Sequence, residues 1–274
     1  MVLNIAHRGA RSIAPENTLM AGQKAIEIGA DLWEVDVGVT SDERLILFHD
    51  PTLERTTNVK DCFPDRYTDA FTTFTYEEIQ KLDAGSWFVE TDPFEQIGQG
   101  RLTQQDIHAC RFQKIPSLEE ILILTRDAGF CVNLELKDLP APMVEFPLAE
   151  RTLAMVTALG MGPEQVIFSS FNHGWLQQIQ AKAPKFKIQA LIGDPKDKPL
   201  DWGNEEFDVY NARHTLIEDS KIKALKKKNI LVNLWTVNHE DEMKRFLAAG
   251  AAGIITDFPQ RLKKLIEREQ QYDV

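Results

Sequence analysis

Leu32-Trp33-Glu34-Val35-Asp36-Val37 alternates large apolar side chains with acids, the period-two pattern of a β-strand whose successive residues face opposite sides. Trp33, Val35 and Val37 share one face, and Glu34 and Asp36 share the other. In a barrel wrapped by helices the apolar face must be the outer one, so both acids point inward. Asn133-Leu134-Glu135-Leu136-Lys137 repeats the arrangement. Leu134 and Leu136 face the helices, and Asn133, Glu135 and Lys137 face the interior.

Outward from these two stretches, short apolar runs recur at Leu3–Ala6, Leu32–Val37, Val132–Leu136, Val166–Ser169, Lys187–Leu191, Asp208–Tyr210, Leu231–Trp235 and Gly253–Ile255. Helical patterns lie between most of them: Thr18–Ile28 ending at Gly29, Ser117 to Gly129, Met143–Leu159, Asn172–Ala183, Leu216–Lys228, His239–Ala249 and a last helix from Pro259. Ser117 with Glu120 three residues on is a capping-box signature, and a glycine is a common helix stop. Strand and helix alternating about eight times over ~250 residues is the rhythm of a TIM (β/α)8 barrel of the α/β class. A doubly wound sheet is the alternative, weakened by the lack of Gly-x-Gly-x-x-Gly after the first strand. From about 51 to 114 the rhythm fades. Leu45–Phe48 reads as a strand returning in a hairpin. The rest reads as a small inserted subdomain after the second barrel strand, with a helix at Tyr76–Leu82, inside one domain spanning 1–274.

A net charge of -11 argues against sequence-independent nucleic-acid binding, which depends on Lys and Arg neutralising phosphates. No apolar run is long enough for stable membrane insertion. Cys62, Cys110 and Cys131 are odd in number and form no Cys-x-x-Cys pair, which suits a reducing compartment. The N-terminus, Met-Val-Leu-Asn-Ile-Ala-His, carries neither a basic stretch nor a long apolar one, so no secretory leader is expected. The expected location is the cytoplasm.

Glu34, Asp36 and Glu135 therefore converge on one barrel mouth. Gathering like charges in a partly dry site is costly unless a proton or a cation joins them. An all-carboxylate donor set suits one hard divalent cation, Mg²⁺ or Ca²⁺. The competing reading is a structural ion network with Arg8 and Lys137. His7 ends the first strand and His49 the hairpin strand, both on the side where barrel enzymes keep their chemistry. A pair of imidazoles there can act as acid and base near neutral pH. Arg8 offers a planar fork of donors matched to phosphate oxygens, and Lys137 adds a second cation. Gly9 would let the backbone approach a ligand closely. His108, His173, His214 and His239 read as structural.

His7-Arg8-Gly9, Pro15-Glu16-Asn17-Thr18, Glu34-Val35-Asp36, His49-Asp50-Pro51-Thr52-Leu53-Glu54-Arg55-Thr56-Thr57, Asn133-Leu134-Glu135-Leu136-Lys137, Trp235-Thr236-Val237-Asn238 and Gly253-Ile254-Ile255-Thr256-Asp257 occur in the order of the glycerophosphodiester phosphodiesterase family, which the chain resembles from residue 3 to about 260. Leu82-Asp83-Ala84-Gly85-Ser86-Trp87-Phe88 resembles that family's insertion. The resemblance implies metal-dependent hydrolysis of glycerophosphodiesters, such as glycerophosphocholine and glycerophosphoethanolamine, to glycerol 3-phosphate and an alcohol. It implies Glu34, Asp36 and Glu135 as metal ligands, His7 and His49 as the acid–base pair, and Arg8 and Lys137 as phosphate contacts. Phe171 and Trp235 become contacts to the glycerol or alcohol part. Pro15–Thr18 shapes the first helix start. Val89–Gln113, with Asp92, Glu95 and Asp106, is longer than in compact members and leaves specificity open, as does the oligomeric state. A lysophospholipase D or sphingomyelinase D type of lipid phosphodiesterase, and a non-catalytic phosphate-binding barrel, are the alternatives.

Overall fold

A computed structural model of the chain describes residues 2–193 and 199–272. Its strands are β1 (Leu3–His7), β2 (Leu32–Val39), β3 (Leu45–Leu47), β4 (Val132–Leu136), β5 (Val166–Ser170), β6 (Lys187–Ile192), β7 (Val209–Arg213), β8 (Leu231–Trp235) and β9 (Gly253–Thr256). They hydrogen-bond in the order β1-β9-β8-β7-β6-β5-β4-β2-β3, and a further β1–β2 pairing closes the ring. All the ring pairings are parallel, while β3 runs antiparallel to β2, with Val37 opposite Leu47. The structure is the expected TIM barrel, with the hairpin strand hung on its second strand.

Closure of a parallel ring forces one strand face outward under the helices and the other into the barrel. Trp33, Val35, Val37, Val132, Leu134 and Leu136 are fully or almost fully buried in the outer layer with Leu118, Ile121 and Leu122. Trp33 Nε1 donates to Thr125 Oγ1 at 3.0 Å, so its one polar atom is satisfied within that layer. A small apolar cluster of Ile5, Leu32 and Ile255, with Ile167 and Trp235 against it, belongs to the inward-facing positions. Glu34, Asp36, Asn133, Glu135, Ser169, Gln189, Asn211 and Asn233 make most of the other inward positions polar, and Leu191 is an apolar one on the cavity wall.

Local signals placed most helices. Thr18 caps the helix Leu19–Ile28, and Gly29 closes it at φ 72°. The reciprocal Ser117–Glu120 box opens Leu118–Asp127. Two starts differ from the periodicity. The helix expected over Met143–Leu159 spans Leu148–Ala158, because Pro147 fits only at a helix start and Pro140 and Pro142 precede it. The pattern from Leu216 begins as a short 3-10 turn, His214–Leu216, and the α-helix runs Asp219–Lys227. Between β3 and Leu118 the helix expected at Tyr76–Leu82 spans Tyr76–Gln80. Short helices Val59–Cys62, Ser86–Thr91 and Gln104–Cys110 accompany it, with a 3-10 turn at Phe71–Thr73. Elements this short carry too little periodicity to read. Among the described residues no helix is long and apolar enough to cross a membrane.

Candidate active site

Strand register brings the acids together. His7 pairs with Glu34 between β1 and β2, and Glu34 and Asp36 pair with Asn133 and Glu135 between β2 and β4. Glu34, Asp36 and Glu135 each offer an oxygen within 4.8 Å of the others'. Each acid is held differently. Asp36 Oδ2 accepts from Asn17 Nδ2 at 2.8 Å and lies 3.2 Å from Arg8 Nε, and Lys137 Nζ approaches its other oxygen at 3.6 Å. Glu135 accepts from Lys137 at 2.9 Å. Glu34 receives only the Arg8 backbone N–H, at 3.0 Å on Oε2, and its buried Oε1 has no partner.

The electrostatics follow. Burial, then the neighbouring charges of Asp36 and Glu135, push Glu34 well above the usual carboxylate range. Burial pushes Asp36 the same way, but Arg8, His49 and Lys137 outweigh it and hold that acid ionised. The two cations therefore neutralise part of the cluster and leave Glu34 short of positive charge. A structural ion network leaves this oxygen unexplained. An added cation with oxygen preference fits the deficit.

The two histidines sit on opposite flanks and are braced alike. His7 Nδ1 lies 2.6 Å from Asp257 Oδ1, and Asp257 Oδ2 accepts from Asn238 Nδ2 at 2.7 Å. His49 Nδ1 lies 2.6 Å from Asp50 Oδ1, and Asp50 is held by Arg55. A carboxylate accepts, so each Nδ1 carries the proton, and the network assigns the free Nε2 to the cavity side. Burial and the adjacent Arg8 charge pull His7 down to about 4, against the opposing pull of Asp257. Glu16 ties the flanks together, accepting from Arg8 at 2.8 Å and Arg55 at 2.7 Å and pairing with Arg11 at 2.8 Å.

These groups surround a cavity of about 100 Å³ whose lining includes His7, Arg8, Glu34, His49, Glu135, Lys137, Phe171 and Trp235. Phe171 and Trp235 meet edge to face at 5.7 Å and form its apolar wall. Of the residues singled out in the sequence, only Asp36 is outside the lining, buried behind Arg8 and Lys137. A cleft of about 430 Å³ between Gln96–Arg101 and the last helix is larger but holds none of these groups.

Two expectations change. Gly9 has a packing role: at φ 81°, a Cβ there would lie 2.6 Å from the Ala21 Cβ, so the glycine lets the β1 loop pack on the first helix. Pro15–Thr18 does more than start a helix, since Glu16 and Asn17 bind Arg8 and Asp36 directly. Asp50, Asp257 and Asn238 went unassigned in the sequence although each stands in a quoted motif. The acids of Val89–Gln113 stay out of the site. Asp92 accepts from the Ile97 and Gly98 N–H groups, and Asp106 pairs with Lys24. That segment reaches the site through Phe94, which lies under the Arg11 guanidinium at 5.2 Å.

Comparison with known proteins agrees with this fold. The profile of the glycerophosphoryl diester phosphodiesterase family matches residues 7–261. A glycerophosphodiester phosphodiesterase of Caldanaerobacter subterraneus subsp. tengcongensis is 34% identical over 268 residues, 97% of this chain and 98% of that one. One from Bacillus altitudinis is 31% identical, over 96% and 97% of the two chains. Among solved structures, a putative glycerophosphoryl diester phosphodiesterase from Silicibacter pomeroyi superposes with a TM-score of 0.81 at 23% identity, over 98% of this chain and 94% of that one. An Oleispira antarctica phosphodiesterase, solved with the product sn-glycerol-3-phosphate, gives 0.77 at 23% identity, over 96% of both chains. With the profile spanning nearly the whole barrel and relatives matched end to end, the chain belongs to the glycerophosphoryl diester phosphodiesterase family.

Proposed function

We propose that the chain hydrolyses glycerophosphodiesters to glycerol 3-phosphate and an alcohol with the help of one divalent cation, using His7 and His49 as its acid–base pair. The observation that carries the metal reading is the unpartnered Oε1 of Glu34 beside two other carboxylates. Glu34, Asp36 and Glu135 would hold Mg²⁺ or Ca²⁺, which when bound supplies a Lewis acid to a phosphate oxygen and acidifies a bound hydroxyl. Arg8 and Lys137, both on the cavity wall, stabilise the charge that grows on the phosphate oxygens. The free Nε2 of one histidine takes the nucleophile's proton, and the other histidine, entering the step as an imidazolium protonated on both nitrogens, gives its Nε2 proton to the departing alkoxide. Asp257 and Asp50 accept from Nδ1 of the two rings and so leave both Nε2 atoms for the reaction, unprotonated in the base and protonated in the acid. The same pair serves attack by water or by the glycerol's own 2-hydroxyl. Phe171 and Trp235 exclude water from one side of the reacting bond.

The three cysteines are free, with Cys62 exposed, which suits a reducing cytoplasm. The deciding assay is glycerol 3-phosphate release from glycerophosphocholine and glycerophosphoethanolamine with Mg²⁺, with Ca²⁺ and with chelator. Release restored by metal is the expected result. Release from lysophosphatidylcholine alone would transfer the site to lipid substrates. Binding of the diesters without turnover would reduce it to a binding barrel.

A further inference from the structure

The cleft of about 430 Å³ beside the last helix, Pro259–Tyr272, lies outside the catalytic cavity and takes no part in the chemistry above. Its lining carries four cations, Arg101, Arg261, Lys264 and Arg268, and one acid, Glu240. Glu240 is already paired with Lys244 at 2.8 Å. None of the four cations is ion-paired with a described carboxylate, and Glu267 on the same helix reaches Lys263 instead, at 4.0 Å. The chain as a whole carries a net charge of -11. Uncommitted cations gathered around one hollow repel one another and draw in an anion.

The walls are held in place. Arg101 N–H donates to Gln96 O at 2.8 Å, and the buried Gln96 side chain donates from Nε2 to Phe94 O at 2.9 Å. Phe94 meets Phe258 edge to face at 5.7 Å, which ties the inserted segment to the barrel. The Arg261 guanidinium lies over the Phe258 ring at 4.1 Å, and its Nη1 donates to Asn238 O at 2.6 Å. Guanidinium forks and an ammonium are donors matched to phosphate oxygens. One phosphate monoester carries only about two negative charges at neutral pH, so four cations call for more than one such group. The volume is that of a small-molecule site, a few hundred Å³. A recess between two walls suits a soluble ligand, and an acidic chain is repelled by an anionic bilayer. We propose that this cleft binds a soluble anion carrying two or more phosphate groups, at a site separate from the catalytic cavity. The proposal needs nothing from the phosphodiesterase reading. The bound anion would lie behind Asn238, whose Nδ2 holds the Asp257 that braces His7.

The test is calorimetric titration of the 274-residue chain with pyrophosphate and with inorganic phosphate, each with and without Mg²⁺. Wild type is compared with Arg101→Ala on one wall and Lys264→Ala/Arg268→Ala on the other. Lys223→Ala/Lys227→Ala removes the same charge from exposed positions on another helix, Asp219–Lys227. Circular dichroism melts show that each variant is folded. Wild type should bind pyrophosphate with a Kd of about 0.1 mM or tighter at low salt, and inorganic phosphate more weakly. The affinity should fall as salt is raised. Both cleft variants should weaken pyrophosphate at least about tenfold, and the distant lysine pair should not. Undetectable pyrophosphate binding by wild type would overturn the proposal. Binding that survives in both cleft variants would assign the anion to the catalytic cavity and overturn it as well. An equal loss in the distant pair would reduce the effect to overall charge, and equal affinity for the two anions would remove the preference for joined phosphates. Sedimentation with phosphatidylglycerol vesicles that is lost in the cleft variants, with no pyrophosphate binding, would replace the soluble ligand by a membrane surface. The wild-type comparison of the two anions needs no substitution and stands even if a variant misfolds.

Discussion

The interior of the barrel has two halves that solve opposite problems. On β1, β2 and β4 and their loops it is crowded with charge: His7, Arg8, Glu34, Asp36, Glu135 and Lys137 lie within a few residues of one another across paired strands. The cavity lining contributed by β5 to β8 and their loops is neutral, with Ser169 and Asn211 buried beside Phe171, Leu191 and Trp235. In the charged half Asp36 and Glu135 are each paired with a cation, whereas Glu34 keeps one buried oxygen without a partner. The neutral part needs no counter-ions, and it leaves the Ser169 hydroxyl and the Asn211 amide nitrogen without partners. A closed barrel can thus keep its ionic and its neutral side chains on different strands of one cavity wall.

The sharpest way to break this comparison is to remove a proton carrier from the charged half. His7→Ala and His49→Ala should each lower kcat by about 10²–10⁴ while leaving the fold and metal affinity intact. Near-normal turnover in both would remove the acid–base assignment altogether.

A smaller effect comes from the price of burying His7 beside Arg8. Its folded pKa is depressed to about 4 from an ordinary value near 6.5, so the unfolded chain binds a proton that the folded chain refuses. Stability is then complete above about pH 6.5 and falls as pH drops through about 4, by about 3 kcal/mol in all. Urea unfolding of metal-free protein at pH 7 and pH 4.5 should show most of that loss. The His7→Gln variant should show correspondingly less. An unchanged pH slope in the variant would mean that His7 is not buried as described.

Metal should act on the same half. If Glu34, Asp36 and Glu135 hold a divalent cation, Mg²⁺ or Ca²⁺ at about a hundred times its Kd adds about 2.7 kcal/mol. That raises Tm by roughly 5–10 °C for a chain of this size. Glu34→Gln should abolish the rise. A structural ion network predicts no rise in the wild type.

The halves also differ in how much of them the sequence exposed. The outer strand faces were readable because a helix-covered barrel demands apolar residues at every second position, and Trp33, Val35, Leu134 and Leu136 obey. Glu34, Asp36 and Glu135 stood out as violations of that demand on the other face. Ser169, Asn211 and Asn233 did not, since one amide or hydroxyl in a strand carries no charge that must be answered. Asp257 was invisible for a different reason. Its partner His7 is 250 residues away, and only ring closure between β1 and β9 makes them neighbours. Glu16 and Arg55, 39 residues apart, meet only because the β1 loop and the segment after His49 share the same rim. Of the five short helical pieces between β3 and Leu118, the sequence showed only the one starting at Tyr76, and the other four escaped because each is no longer than about two turns.

The smallest expected effect separates the two histidine braces. His7 and Asp257 are 14% and 8% exposed in their side chains, and Asp257 is further held by Asn238. His49 and Asp50 are 31% and 20% exposed, and Asp50 leans on an Arg55 that is itself 41% exposed. A buried carboxylate with no competing water has more to do in fixing a ring than one that solvent can replace. Asp257→Asn should therefore lower kcat by about 10²-fold and Asp50→Asn by about tenfold, the range seen when groups behind a reacting residue are changed. KM should move little in either, because neither carboxylate lines the cavity. A merely structural role would instead lower stability in step with activity. Equal losses in the two variants would mean that the exposed brace is as firm as the buried one, and that Arg55, through its bond to Glu16, supplies on the open flank the rigidity that burial supplies on the closed one.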